Sequence, residues 1–186
     1  MALPGVMTKP MRILVINGSP REQGNTRKLA EAFAHGAEEV GNEILFVNVA
    51  KKHIAGCQGC QYCRSHEGKC VQRDDMQPIL KALDTVDMVV FASPIYWFDI
   101  TSQLQAVIDR FYAQGMNGFA FNRVALLLDA DSDHVFDAAV SQYRQMCNYL
   151  NWKNMGIITA PNLEKLGGIA QSPALKDAYE LGKSLR

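Results

Sequence analysis

The sequence carries no surplus of either charge, with Lys plus Arg and Asp plus Glu both numbering 19. Nucleic acid or an anionic membrane surface would call for a basic excess, so neither is expected as a partner and recognition must be local. No run approaches the roughly 18 consecutive apolar residues of a membrane span, and the first ten residues lack the apolar heart of a signal peptide. A cytoplasmic protein is expected. Repeats and low-complexity tracts are missing as well.

Several chemical signatures are equally absent. Without Gly-x-Gly-x-x-Gly a tightly held dinucleotide is disfavoured, and without Gly-x-x-x-x-Gly-Lys-[Ser/Thr] so is an NTPase. Neither His-Glu-x-x-His nor Gly-x-Ser-x-Gly occurs, which argues against a hydrolase. His35, His53 and His134 show no metal-ligand spacing, and His66 stands alone in a polar loop.

What is present suits one domain: 186 residues, 48% of them hydrophobic, can bury a real core. Residues 1–10 hold Pro4, Gly5 and Pro10 and read as an irregular leader to a domain spanning 11–186. Ile13, Leu14, Val15 and Ile16 form an unbroken aliphatic run, as in a strand buried on both faces of a parallel sheet. The run breaks at Asn17-Gly18-Ser19-Pro20-Arg21, and a helix is expected to begin near Gly24-Asn25-Thr26. Its first turn offers unpaired N–H groups and a positive dipole end, Ser19, Asn25 and Thr26 add short donors, and Arg21 adds a fixed charge. That is the composition of a phosphate site, although a plain loop with a capping Asn or Thr would look similar.

Helical spacing of Leu29, Ala30, Phe33, Ala34 and Ala37 ends at Gly41, and alternation over 43–49 predicts a second strand. Residues 50–73 have no clear period. Asp74 and Asp75 cap a short helix, and an apolar run over 86–92 predicts a third strand that Ser93-Pro94 should end. A helix over 99–114, a strand over 123–128, a helix over about 133–150, a strand over 155–160 and a last helix capped by Ser172-Pro173 complete the chain. Five strands alternating with helices predict an open parallel α/β sheet with helices on both faces, its ligand crevice outside the carboxyl ends of the strands.

Two loops besides the first carry chemistry. Pro94-Ile95-Tyr96-Trp97-Phe98 places bulky groups at a strand end, suited to the face of a flat ring or to a subunit contact. Asp129 and Asp131 are read only as candidate caps. Four of five cysteines crowd into one loop as Cys57-x-x-Cys60-x-x-Cys63 with Cys70 beyond, while Cys147 has apolar neighbours and reads as core. In a reducing compartment such spacing points to metal, cluster or redox chemistry, and Gly56, Gly59 and Gly68 permit a tight path. Closely repeated two-residue gaps suit a cubane [4Fe–4S] cluster better than zinc, which favours two separated arms. Free or transiently bridged thiols remain the alternative.

The motifs at 17–26 and 93–97, the cysteine loop and the helix over 103–111 together resemble the NADPH-dependent FMN reductase and iron–sulfur flavoprotein families, over nearly all the chain after Met11. The resemblance implies a flavodoxin-like fold, FMN as cofactor, NAD(P)H as a transient hydride donor, and homodimers or homotetramers sharing the flavin edge. It also implies that Ser19, Arg21, Asn25 and Thr26 hold the FMN phosphate and that Pro94, Ile95, Tyr96, Trp97 and Phe98 line the isoalloxazine. For Cys57, Cys60, Cys63 and Cys70 it leaves both readings open, because iron–sulfur flavoproteins use such a motif for [4Fe–4S] and other relatives need not. The expected activity is electron transfer from NAD(P)H through FMN to a flavin, quinone or other small acceptor; the rival is a carrier relaying electrons between protein partners. No catalytic acid or base is identifiable.

Overall fold

In the computed structural model, which describes residues 9–185, Ile13, Leu14, Val15 and Ile16 have no exposed surface at all. Most of the expected leader, 1–8, lies outside the described residues. The elements run β1 (Arg12–Asn17), α1 (Asn25–Glu39), β2 (Glu43–Asn48), α2 (Tyr62–Ser65), α3 (Met76–Leu83), β3 (Met88–Tyr96), β4 (Asp99–Ile100), α4 (Ser102–Gly115), β5 (Arg123–Asp129), α5 (Asp137–Leu150), β6 (Lys153–Ala160), a 3-10 turn (Gly168–Gln171) and α6 (Pro173–Lys183).

Five strands pair in parallel in the order β2-β1-β3-β5-β6. This is the flavodoxin-like order, and the connections reverse direction between β1 and β3, which opens a crevice at the strands' carboxyl ends. One face of the sheet packs on α1 and α6 through Val15, Leu29, Phe33, Val90 and Ala178; the other packs on α3, α4 and α5 through Leu14, Phe91, Leu104, Leu126 and Tyr143. Among the described residues no helix is long and apolar enough to cross a membrane.

The two helices on the first face touch backbone to backbone. A Cβ placed on Gly36 would sit 2.1 Å from the Tyr179 carbonyl oxygen, and one on Gly182 would sit 2.1 Å from that of Phe33. Only glycine permits so close a crossing.

Several boundaries differ from the sequence expectation, three of them with a plain physical cause. Strand β3 does not stop at Ser93-Pro94 but continues to Tyr96, because past Ala92, where its pairing with β1 ends, it pairs with β5 as far as Pro94 and then with the short antiparallel β4 at Ile95 and Tyr96. Asp99 and Ile100 therefore belong to a strand, and α4 begins only at Ser102, where the Thr101 hydroxyl caps it by accepting from the Leu104 N–H at 3.3 Å. Helix α5 begins at Asp137 and not near Asp133, since His134 has a φ of 61°, outside helical geometry.

Candidate functional site

The loop after β1 is folded on itself. Asn17 Oδ1 accepts the Ser19 N–H at 3.1 Å, Ser19 Oγ accepts the Arg21 N–H at 3.3 Å, and the Gly24 N–H donates to the Arg21 carbonyl at 3.1 Å. Because Gly24 is the N-cap, no side chain caps α1, and its leading N–H groups stay available at the crevice. Asn17 Nδ2 is buried and has no partner. An uncapped helix start with Arg21 at the rim of the same cleft fits a bound phosphate group.

Thr101 and Ser93 lock this loop to the aromatic segment. The Thr101 hydroxyl donates to the Gly18 carbonyl at 3.0 Å, and the Thr101 N–H donates to Ser93 Oγ at 3.0 Å. Beyond Ser93 the chain turns tightly between the paired Tyr96 and Asp99, with Trp97 and Phe98 both at positive φ, 49° and 71°. Such a two-residue turn normally takes Asn-Gly, so two aromatic residues there hold strained backbone. Trp97 in this turn is 92% exposed.

All nine residues expected to hold the cofactor line one cleft of about 580 Å³, with Asp129, Ala130, Asp131, Ser132, Val135, Leu163 and Glu164 closing its far side. The volume is of the size small-molecule cofactors occupy. The Asn25 side chain, however, is fully engaged elsewhere: Nδ2 donates to the Leu163 and Lys165 carbonyls and Oδ1 accepts from the Gly167 and Ile169 N–H groups. It buckles the loop before α6 to the start of α1, so only its backbone N–H faces a ligand. Asp129, set aside in the sequence as a helix cap, is a buried carboxyl that accepts the Thr26 hydroxyl. Burial pushes its pKa up to about 6, against the opposing pull of the Thr26 hydrogen bond and the Arg21 charge.

The cysteine loop is tied at its base. Asp75 accepts the His53 N–H at 2.8 Å, Asp74 accepts the Ala55 N–H at 3.3 Å, and Gln72 donates to the Gly56 carbonyl at 3.1 Å. Asp74 was expected only as a cap; it also takes a two-pronged ion pair from Arg110 of α4, at 2.6 and 3.0 Å. Arg110 is 1% exposed, and Nη1 also donates to the Ala55 carbonyl at 2.9 Å. Burial opposes its charge, yet the Asp74 hydrogen bond and the neighbouring Cys70 sulfur hold its pKa above the ordinary value. Its position three residues after Val107 and one before Phe111, on the stripe that α4 buries, was the available signal: a charge there needs a partner.

Cys57, Cys60, Cys63 and Cys70 line one small cavity with Arg110, Tyr112 and Ala113. Cys57 and Cys60 are exposed, Cys63 is buried and Cys70 lies between. Among the described residues no three His, Cys, Asp or Glu side chains converge on a point that could hold a metal ion. A mononuclear zinc site needs such convergence, whereas a cubane takes one thiolate at each of its irons and wants four sulfurs spread around one space. Arg110 Nε, buried without a partner at that cavity, is an N–H donor facing sulfur chemistry. The donor set fits a cluster better than a single ion. Cys147 is buried core, as its neighbours implied.

A parallel sheet whose switch-point crevice joins an uncapped helix start to an aromatic wall defines the flavodoxin-like class of cofactor-binding α/β proteins. Within that class the chain belongs to the NADPH-dependent FMN reductase family, which it matches over residues 11–161. It is 31% identical over 180 residues to an iron–sulfur flavoprotein of Archaeoglobus fulgidus, spanning 94% of this chain and 79% of that protein. To an iron–sulfur flavoprotein of Methanosarcina thermophila it is 30% identical over 169 residues, covering 90% and 86% of the two chains. Among solved structures, an NAD(P)H:quinone oxidoreductase from Methanothermobacter marburgensis superposes with a TM-score of 0.72 at 16% identity, over 95% of this chain and 98% of that one. An azoreductase from Bacillus anthracis gives 0.72 at 17% identity, over 93% and 99%. At those identities the likeness to the solved structures shows the fold.

Proposed function

We propose that this flavin oxidoreductase binds FMN in the cleft, accepts hydride from NAD(P)H and passes the electrons to a flavin, quinone or other small acceptor. The observation that supports this most is the cleft itself, which sets Ser19, Arg21, Thr26 and the uncapped α1 N-terminus at one end and Tyr96, Trp97 and Phe98 at the other. FMN, when bound, supplies the hydride-accepting ring. The chain's part is to anchor the phosphate, present the ring against the hairpin and leave its outer side open to a nucleotide that comes and goes. No dinucleotide fingerprint exists to hold that nucleotide permanently. Exposure of Tyr96, Trp97 and Phe98 beside the cleft supports assembly into homodimers or homotetramers that cover the flavin edge. The test is rapid mixing of FMN-loaded protein with NADPH or NADH under anaerobic conditions: bleaching of the flavin absorbance by either nucleotide supports the reading, and a flavin that only a reduced electron-carrier protein can bleach overturns it.

A second reading is favoured by the four cysteines gathered at one cavity beside Arg110: an iron–sulfur flavoprotein relaying electrons between protein partners. Cys57, Cys60, Cys63 and Cys70 would ligate the cluster. The inner space measures only about 20 Å³, while an outer hollow of about 390 Å³ lies beyond Cys57, Gly59 and Gln61. The two hollows share Cys57, Gln61 and Tyr112 in their walls. The cysteine cavity and the cleft share no lining residue. Helix α4 carries Arg110 at the cysteine cavity and is capped by Thr101, which ties the phosphate loop to the aromatic segment. Iron and acid-labile sulfide after anaerobic reconstitution, with Cys60→Ala as control, decide it.

A further inference from the structure

We propose that Arg110 is a working part of the cysteine site: its unpartnered Nε–H donates to a sulfur of the iron–sulfur cluster, and its fixed charge raises the ease with which that cluster accepts an electron. The inference rests on the cluster reading above and assigns it a residue outside the four ligands.

A buried arginine with one orphaned donor calls for a reason. Removing a guanidinium from water is costly, and a carboxylate partner repays that cost only when the remaining donors are also satisfied. Here Nη1 donates to both Asp74 and Ala55, and Nη2 donates to Asp74. Nε is not, although it is the donor of a side chain with 1% exposure. The same side chain lines the cavity shared by Cys57, Cys60, Cys63 and Cys70, and Cys70 lies close enough for its sulfur to act on the guanidinium charge. A purely structural ion pair between α4 and the loop base would need no third face. A cluster would use it, because four thiolates and a cubane together form an anion whose negative charge grows when one electron is added from a reductant. Hydrogen bonds to the sulfurs and a nearby cation both favour that reduced state.

Asp74 enters with the opposite sign. Its carboxylate fixes the guanidinium in place and also offsets part of its charge. Loss of the arginine and loss of the aspartate should therefore move the cluster in opposite directions, whereas simple loosening of the loop would move both the same way.

The experiment compares wild type, Arg110→Gln and Asp74→Asn, each reconstituted anaerobically with iron and sulfide and assayed for both. One-electron reduction by dithionite through mediators is then followed by the paramagnetic signal of the reduced cluster. Arg110→Gln is expected to keep its iron and to shift the reduction equilibrium roughly tenfold against the reduced cluster, about 59 mV more negative for one electron. Asp74→Asn is expected to shift it to more positive potential. Equal potentials in all three proteins, or shifts of the same sign, overturn the role of Arg110 while leaving the cluster intact. A wild-type protein that binds FMN but takes up no iron or sulfide overturns the cluster reading itself, and this inference with it. Should Arg110→Gln fail to fold or to load, Asp74→Asn decides alone: an upward shift supports the inference, and an unchanged or lowered potential overturns it.

Discussion

Thr26 donates its hydroxyl hydrogen to the buried carboxylate of Asp129, two residues 103 positions apart that meet where α1 starts and β5 ends. An anionic group so near a phosphate site works against the ligand, and its titration should be visible. With a folded pKa of about 6 against an ordinary 3.8, Asp129 binds its proton more tightly in the folded state. Stability contributed by this group is highest below its unfolded pKa, falls as pH rises through about 6, and stays low above that. Asp129→Asn should therefore raise stability at pH 7.5, by an amount on the order of 2–3 kcal/mol, with the gain shrinking toward pH 4.5. Urea unfolding across that range reads the difference. Flavin titration at pH 7.5 should also show tighter FMN binding in the variant.

The phosphate loop should divide its residues by role. Arg21→Ala removes a charged donor, about 1.5–3 kcal/mol, and should weaken FMN roughly 10- to 100-fold with little change in unfolding midpoint, whereas Thr26→Ala strips the buried Asp129 carboxyl of its hydrogen bond and should lower the midpoint. Asn25→Ala cuts four hydrogen bonds to the loop before α6 and should lower the midpoint as well. Paired flavin titrations and denaturant melts separate the two outcomes; an Asn25→Ala protein as stable as wild type would contradict its buckle role.

Strain in the aromatic turn should be recoverable. Trp97→Gly relaxes a positive φ at a side chain that is 92% exposed, and should raise stability by about 1 kcal/mol. The same change removes an aromatic group from the wall of the cleft, so FMN retention and the oligomeric state should both decline. Calorimetry and size-exclusion chromatography of the one variant test both halves.

The Asp74–Arg110 pair should show strong coupling. Asp74→Ala strands a buried guanidinium and should cost about 3–5 kcal/mol, while adding Arg110→Met to it should recover a large part. A double-mutant cycle by urea unfolding measures the interaction; additive losses would mean that the pair is held apart in solution.

Much of this was legible along the chain because it is written in neighbouring residues. The aliphatic run Ile13 to Ile16, the turn at 17–24 and the spacing of the four cysteines each declare their local geometry. The antiparallel β4 was not legible, since Asp99 and Ile100 take their conformation from pairing with Tyr96 and Ile95 across a turn that two aromatic residues are poorly suited to make. Nor were Asp129 and Arg110. Each acquires its meaning from a partner in another element, Thr26 in one case and Asp74 with the cysteine cavity in the other. Asn25 misleads for the same reason: its place at a helix start suggests a ligand donor, and its hydrogen bonds lead to residues more than a hundred positions away.

The backbone contact between α1 and α6 makes α1 a lever with its fulcrum far from its working end. Phe33, whose carbonyl Gly182 meets, lies eight residues from Asn25, roughly 12 Å at helical rise. Were a methyl group at Gly182 to push the axes apart there by about 1.5 Å, α1 would pivot by roughly seven degrees about that arm. The N–H groups at its tip would swing off the line on which they meet a phosphate. Gly182 never sees the cleft, yet it helps to aim it, and a substitution there would present itself as a cofactor-binding defect.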